Sequence, residues 1–182
     1  MTKSPFLLLL PILFAASPLS AQERQRVSPH ETVNATIDGN EVSVVYGRPY
    51  SKDPKSGEKR KILGGLVPFG KVWRLSADEA TLLTTKQPTD MNGTAIPAGT
   101  YSLFLLPEES GSAKLIVNKQ TGQWGTKYDE KQDLARINVK KEAAAKAADQ
   151  FTIDVEKKDG GGGVLKMTWE DVQYSVPFTV SK

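Results

Sequence analysis

The sequence predicts an all-β fold, a single-domain antiparallel β-sandwich of jelly-roll-like type. Short stretches in which apolar and polar residues alternate recur along the chain, as in half-buried strands. Gly, Pro and Asn separate these stretches, and none shows the apolar spacing of an amphipathic helix. The 182 residues, 38% apolar and 25% charged, are typical of one globular domain.

The N-terminal half supplies the first predicted hairpin. Residues 32–38 and 41–46 alternate as strands, and Asp38-Gly39-Asn40 between them favours a tight turn. Residues 47–61 are polar and contain Pro49, Pro54 and Gly57, which predicts a long loop. Residues 71–75 are the next strand-like stretch.

The middle of the chain predicts the centre of the sheet. Residues 80–85 resemble a strand, and Asn92-Gly93 indicates another hairpin. Residues 100–106 are apolar on both faces, so we expect this strand to lie centrally, paired with residues 114–118.

The C-terminal third alternates between strand signals and one helical signal. Residues 140–148 are rich in Ala and Lys, which favours a helix, but nine residues form only a marginal one. We therefore expect at most one short helical turn there. Four further stretches are predicted strands: residues 134–139, 151–156, 164–169 and 174–180.

The first 21 residues resemble a secretory signal peptide. Lys3 precedes an apolar run at residues 6–16, and small residues lead to Ala21, after which we expect cleavage. The run is too short to span a bilayer, and no later segment is long and apolar enough. We expect an exported protein, periplasmic or extracellular, with an N-terminal tail at residues 22–31 and the β-sandwich domain at 32–182.

Composition excludes several kinds of chemistry. The chain has no Cys, which excludes disulfides and thiolate ligands and suits a bacterial envelope protein. Its one His excludes a multi-His metal cage, and no nucleotide or cofactor motif is present, so we expect neither metal nor cofactor. A net charge of +3 gives no support for a nucleic-acid partner. We expect His30 to be a solvent-exposed loop residue and the basic residues 52–61 to form a solvated loop.

One polar constellation stands out around Trp73-Arg74. Asp78 and Glu79 follow closely, and the planar guanidinium of Arg suits carboxylate or phosphate recognition. Three interpretations remain open: an internal polar network, a binding cleft, or a catalytic site. The candidate ligand-binding residues are Tyr46, Arg48, Trp73, Arg74, Glu79, Asn118 and Trp124.

Long motifs at these residues resemble a bacterial exported family, domain of unknown function 2911. The resemblance covers roughly residues 28–180 and departs from the family pattern at Asp78, where Asn is common, at the lengthened loop 53–58 and at the Ala-rich residues 141–148. The family implies no activity or catalytic residue. The motifs are Tyr46-Gly47-Arg48-Pro49, residues 65–74, Glu79-Ala80-Thr81, residues 98–103, Asn118-Lys119, Gln123-Trp124-Gly125 and residues 133–136.

These features together predict an exported envelope protein that binds a small molecule, glycan or peptide without catalysis. One alternative is a secreted hydrolase or isomerase that uses Glu79 or Asp78 with Arg74. Another is a structural or assembly protein with an exposed sheet edge. The sequence leaves the ligand and the oligomeric state open.

Overall fold

The computed structural model describes residues 26–181, so the predicted signal peptide lies outside the described residues. Within them, no helix is long and apolar enough to cross a membrane. One 3-10 turn spans Glu130–Gln132. The nine strands are β1 (His30–Ile37), β2 (Asn40–Gly47), β3 (Thr81–Thr85), β4 (Thr89–Met91), β5 (Thr94–Ile96), β6 (Gly99–Pro107), β7 (Ala113–Asn118), β8 (Asp133–Lys157) and β9 (Gly163–Val180).

The prediction of an all-β antiparallel fold is confirmed. Hydrogen bonds join all nine strands in a single open sheet in the order β1-β2-β3-β6-β7-β8-β9-β4-β5. The long strand β8 pairs with β7 through its first residues and with β9 through the rest, beginning at Lys140 opposite Ser175. It therefore carries the sheet from one layer into a second layer, and the two layers enclose the main apolar core.

The core follows from the alternation along the strands. Val42, Val44 and Tyr46 of β2 are buried, and they belong to the same apolar cluster as Ile153 of β8 and Met167 of β9. The central position predicted for residues 100–106 is confirmed, because β6 lies between β3 and β7 with both faces buried. Both predicted hairpin turns are present, at Asp38-Gly39 and at Asn92-Gly93.

The prediction of a short helical turn near residues 140–148 is wrong. This segment is extended and lies within β8, where two register irregularities interrupt its pairing with β9. Helix propensity is a local preference of well below 1 kcal/mol per residue, and pairing with β9 at residues 140–143 and at residue 148 outweighs it. Residues 71–75 do not form a strand either, although Trp73 makes one isolated bridge to Leu105. The predicted strands on either side of residue 170 merge into β9.

A seam of hydrogen bonds joins the end of β2 to the edge of β8 that faces away from β9. We call residues 46–51 and 149–153 the seam. The Phe151 amide donates to the carbonyl of Pro49 at 2.9 Å. The Ile153 amide donates to the hydroxyl of Tyr46, also at 2.9 Å. Arg48 donates from Nε to the Phe151 carbonyl at 3.2 Å. The seam thus supplies partners for backbone groups of β8 that no strand pairs.

Replacing Tyr46 by Phe should destabilise the protein by about 1–3 kcal/mol, because the buried Ile153 amide would lose its acceptor. Urea unfolding followed by circular dichroism measures the change. Tyr50→Phe is the matched control, since Tyr50 is 38% exposed and should tolerate the loss of its hydroxyl. Equal stability of the two variants would contradict this role.

Burial raises the pKa of Tyr46 to about 12, above the usual value of 10.0. The folded state therefore favours the neutral phenol, and this contribution to stability is complete below pH 10. It declines as the pH rises toward about 12 and the unfolded chain becomes ionised. The free energy of unfolding of Tyr46→Phe should accordingly fall less between pH 10 and pH 12 than that of the wild type. Parallel declines would contradict the assignment.

Candidate functional site

The long connection between β2 and β3 passes over one end of the sandwich and positions Trp73. The backbone amide and carbonyl of Trp73 both bond to Leu105 of β6, each at 2.8 Å. Strand β3 pairs with β6 only as far as Leu103, so Trp73 continues the hydrogen bonding where β3 stops. Its side chain is thereby fixed against the central strand.

An aromatic cluster surrounds Trp73. Its ring stacks on Trp169 of β9, with centroids 5.6 Å apart and an interplanar angle of 21°. Phe151 packs in a T-shaped geometry against Trp73, with ring centroids 5.0 Å apart, and against Tyr46, with ring centroids 5.8 Å apart. Contacts of this kind contribute about 0.5–1.5 kcal/mol each beyond burial, so the cluster is a firm base.

A cleft of about 410 Å³ opens over this base. Its volume lies within the usual range for small-molecule sites. Aromatic and apolar side chains form much of its lining, and two arginines, one serine and one threonine add polar groups. Its principal lining residues are Trp73, Trp169, Phe104, Tyr128, Arg60, Arg74 and Ser76.

Several hydrogen-bond donors of residues that line the cleft lack acceptors. Arg74 Nε donates to the Ser76 carbonyl at 3.0 Å, but its two terminal amino groups find no partner within residues 26–181. Arg60 Nε and Trp169 Nε1 are buried and have no hydrogen-bond partner in the described part of the chain. No Asp or Glu from that part lines the cleft. The site therefore presents positive charge and unused donors without a neutralising carboxylate.

Gly125 gives Arg74 the room it occupies. A Cβ atom at position 125 would lie 2.8 Å from Arg74 Cβ and 2.9 Å from the carbonyl oxygen of Asp78. The Gly125 amide also donates to that Asp78 carbonyl at 2.9 Å. The Gln123-Trp124-Gly125 segment thus matters because its backbone supports Arg74.

Asp78 and Glu79 point to a second cluster instead of pairing with Arg74. Asp78 Oδ2 lies 3.3 Å from His30 Nε2, and Glu79 Oε2 lies 3.6 Å from the same nitrogen. Glu79 Oε1 accepts a hydrogen bond from Arg26 at 2.5 Å. The prediction that His30 is a solvent-exposed loop residue is therefore wrong. His30 lies at the start of β1, half-buried between two carboxylates.

The other sequence-predicted residues lie apart from the cleft. Tyr46 and Arg48 belong to the seam. Asn118 is fully buried and donates to the Asp129 carbonyl at 2.9 Å and to Asp133 at 2.8 Å. Trp124 is 41% exposed beside Glu79, with which it forms a backbone bridge. Of the predicted set, only Trp73 and Arg74 line the cleft.

Sequence reasoning missed Arg60, Tyr128 and Trp169. Arg60 falls in the stretch interpreted as a solvated loop, and Trp169 ends an ordinary strand pattern. Arg60 precedes Trp73 by 13 residues and Trp169 follows it by 96, and no spacing rule connects either residue with Trp73. The only signal for Trp169 was that it is one of three Trp residues in a β-rich chain.

A polar network fixes Tyr128 on the wall of the cleft. Its hydroxyl donates to Asp133 Oδ2 at 2.7 Å and accepts from Arg136 Nη2 at 3.0 Å. Its ring packs on Phe104, with centroids 4.9 Å apart. Burial, and then the hydrogen bond to Asp133, raise the pKa of Tyr128 to about 12. This wall is preorganised by the β7–β8 connection.

Replacing Asp133 by Asn should lower the pKa of Tyr128 from about 12 toward 10, because the negative charge beside the phenol is removed. NMR titration of tyrosine ring carbons measures the shift. Tyr46 is the internal control, since its raised pKa arises mainly from burial elsewhere and should not change. An unchanged titration of Tyr128 would contradict the network.

Comparisons with known proteins agree with the resemblance carried by the motifs. No curated protein and no solved structure matches the chain. A family model described as "Protein of unknown function (DUF2911)" matches residues 28–178, which include the seam and all residues of the cleft. The chain therefore belongs to the family described as "Protein of unknown function (DUF2911)".

Proposed function

We propose that this is an exported envelope protein that binds a small organic anion in the cleft without chemically changing it. One observation carries the proposal. Arg60 and Arg74 line the cleft, the terminal amino groups of Arg74 have no acceptor among the described residues, and no Asp or Glu of those residues lines it.

The electrostatics favour an anionic group over a neutral one. The terminal amino groups of Arg74 have no acceptor among the described residues, and a hydrogen bond from such a charged group to a ligand oxygen contributes about 1.5–3 kcal/mol. The guanidinium of Arg74 is held at Nε by Ser76, so its free edge is oriented before binding. Carboxylate and phosphate groups match such an edge with two parallel hydrogen bonds.

The aromatic lining favours a ligand that also has an apolar or ring-shaped part. Trp73, Trp169, Phe104 and Tyr128 offer faces and edges for stacking or apolar contact. An acidic sugar, a peptide carboxylate and a small organic acid all combine such a part with an anionic group. This common chemistry unites the small-molecule, glycan and peptide ligands expected from the sequence.

Export is part of the proposal and is supported by residues 1–21. Their positive charge, their apolar run and the small residues before the expected cleavage site are those of a signal peptide. The absence of Cys from the chain agrees with a bacterial envelope location.

The hydrolase or isomerase alternative has one supporting observation, the contact between His30 and Asp78 at 3.3 Å. This pair resembles an acid–base arrangement, but its carboxylates do not line the cleft that contains Arg74. Any such reaction would therefore use the surface near Trp124. Binding in the cleft is the better supported function.

Calorimetric titration with a panel of anions tests the proposal. The panel contains glucuronate, a sugar phosphate, benzoate and an acidic tripeptide, with glucose and benzyl alcohol as neutral counterparts. At least one anion should bind, and Arg74→Gln should weaken its binding roughly ten- to hundredfold, as expected for loss of hydrogen bonds to a charged group.

Arg26→Gln is the matched control, because it removes the same charge from the His30 cluster outside the cleft. It should leave the affinity within about twofold, since an exposed charge at a distance is screened by salt. The proposal fails if no member of the panel binds, or if Arg26→Gln weakens binding as much as Arg74→Gln does.

A further inference from the structure

A second, apolar chamber lies behind the stacked pair of Trp73 and Trp169. Both rings contribute to the chamber as well as to the cleft, so the pair separates the two spaces. The chamber has a volume of about 20 Å³, enough for roughly one water molecule. Its other walls include Leu105, Met167 and Val172.

Residues 61–69, which we call the cap, cover both spaces. Ile62, Leu63 and Val67 of the cap line the chamber, whereas Leu66 and Pro68 line the cleft. One short segment thus faces the cationic cleft and the apolar chamber at the same time.

The cap is held to the rest of the protein by apolar packing. Its backbone hydrogen bonds are internal: Gly64 donates to Val67 at 2.9 Å, Leu66 to Lys61 at 3.0 Å, and Val67 to Ile62 at 2.9 Å. Between residues 61 and 69, no backbone or side-chain hydrogen bond to another described segment is present. Apolar contacts alone therefore hold the cap to the other described segments, and the buried side chains of Ile62 and Val67 are its anchors.

Resting on the binding function proposed above, we propose that the ligand is a single-chain amphiphile. Its anionic head would bind to Arg74 and Arg60, and its hydrocarbon tail would pass the tryptophan pair into the chamber. The chamber is too small for a tail in its present form, so the cap moves outward. Tail contacts then replace those of Ile62 and Val67, and apolar surface stays covered throughout.

Titration with butanoate, octanoate and dodecanoate, below micelle-forming concentrations, tests the proposal, with tryptophan fluorescence and calorimetry as readouts. Affinity should rise with chain length, up to about fourfold for each methylene group that becomes buried. Dodecyl phosphate distinguishes a phosphate head from a carboxylate, and stronger binding of either supports the amphiphile. Dodecanol has no charge and should bind at least tenfold more weakly.

Variants at Val172 separate the chamber from the cleft, because Val172 lines the chamber and not the cleft. Val172→Phe should abolish the chain-length dependence while butanoate binding is unchanged. Val172→Ala enlarges the chamber and should retain or strengthen dodecanoate binding. It is the control for misfolding of Val172→Phe, because it changes the same position without adding volume.

Equal affinity for all three chain lengths would overturn the amphiphile proposal and leave the anion-binding function intact. Chain-length dependence that persists in Val172→Phe, or dodecanoate binding that Arg74→Gln does not weaken, would also overturn it. Failure of every anion, short and long, would remove the binding function as well.

Discussion

The seam between the end of β2 and the outer edge of β8 is the interaction on which the rest of the structure depends. Strand β8 turns from one layer into the other, and beyond that turn one edge pairs with β9 while the other has no partner strand among residues 26–181. Tyr46, Arg48 and Pro49 supply the missing hydrogen bonds through a phenol, a guanidinium and a carbonyl. Because buried amides without partners are costly, this substitution for a strand holds the two layers together.

The contacts of the seam make the base of the cleft rigid. The backbone of Phe151 is held by Pro49, and its ring contacts Tyr46 on one side and Trp73 on the other. Trp73 is in turn fixed to β6 and stacked on Trp169. The base of the site is therefore continuous with the core. The cap opposite has no hydrogen bond to other described segments, so a fixed base faces a covering segment that is held by apolar contacts alone.

Local patterns in the sequence were sufficient for most strands and for the tight turns, but not for residues 71–75 or for the assembly of the site. Alternation and the Asn92-Gly93 turn depend on neighbouring residues, and they correctly predicted the hairpins and the central strand. The path of β8 depends on β9, a partner that residues 140–148 do not reveal, and so helix propensity misled there. Trp73 and Arg74 were identified because they are adjacent, whereas Arg60 and Trp169 reach the cleft only through long-range folding.

The separation of charges around residues 74–79 explains how the cleft stays cationic although two carboxylates follow Arg74 closely in sequence. Leu75 and Asp78 both have positive φ angles, 53° and 63°. This left-handed conformation costs roughly 1–2 kcal/mol for most L-residues, and Asp and Asn adopt it more readily than Leu does. This conformation turns Asp78 toward His30 and Glu79 toward Arg26. Two hydrogen bonds of 2.8 Å stabilise the bend. The Ser76 hydroxyl donates to the Glu79 carbonyl, and the Thr81 hydroxyl donates to the Leu75 carbonyl. An ordinary strand would avoid that cost. Since strain of this kind persists where the surroundings enforce it and is common at ligand sites, it supports a role for Arg74 that an internal ion pair would abolish.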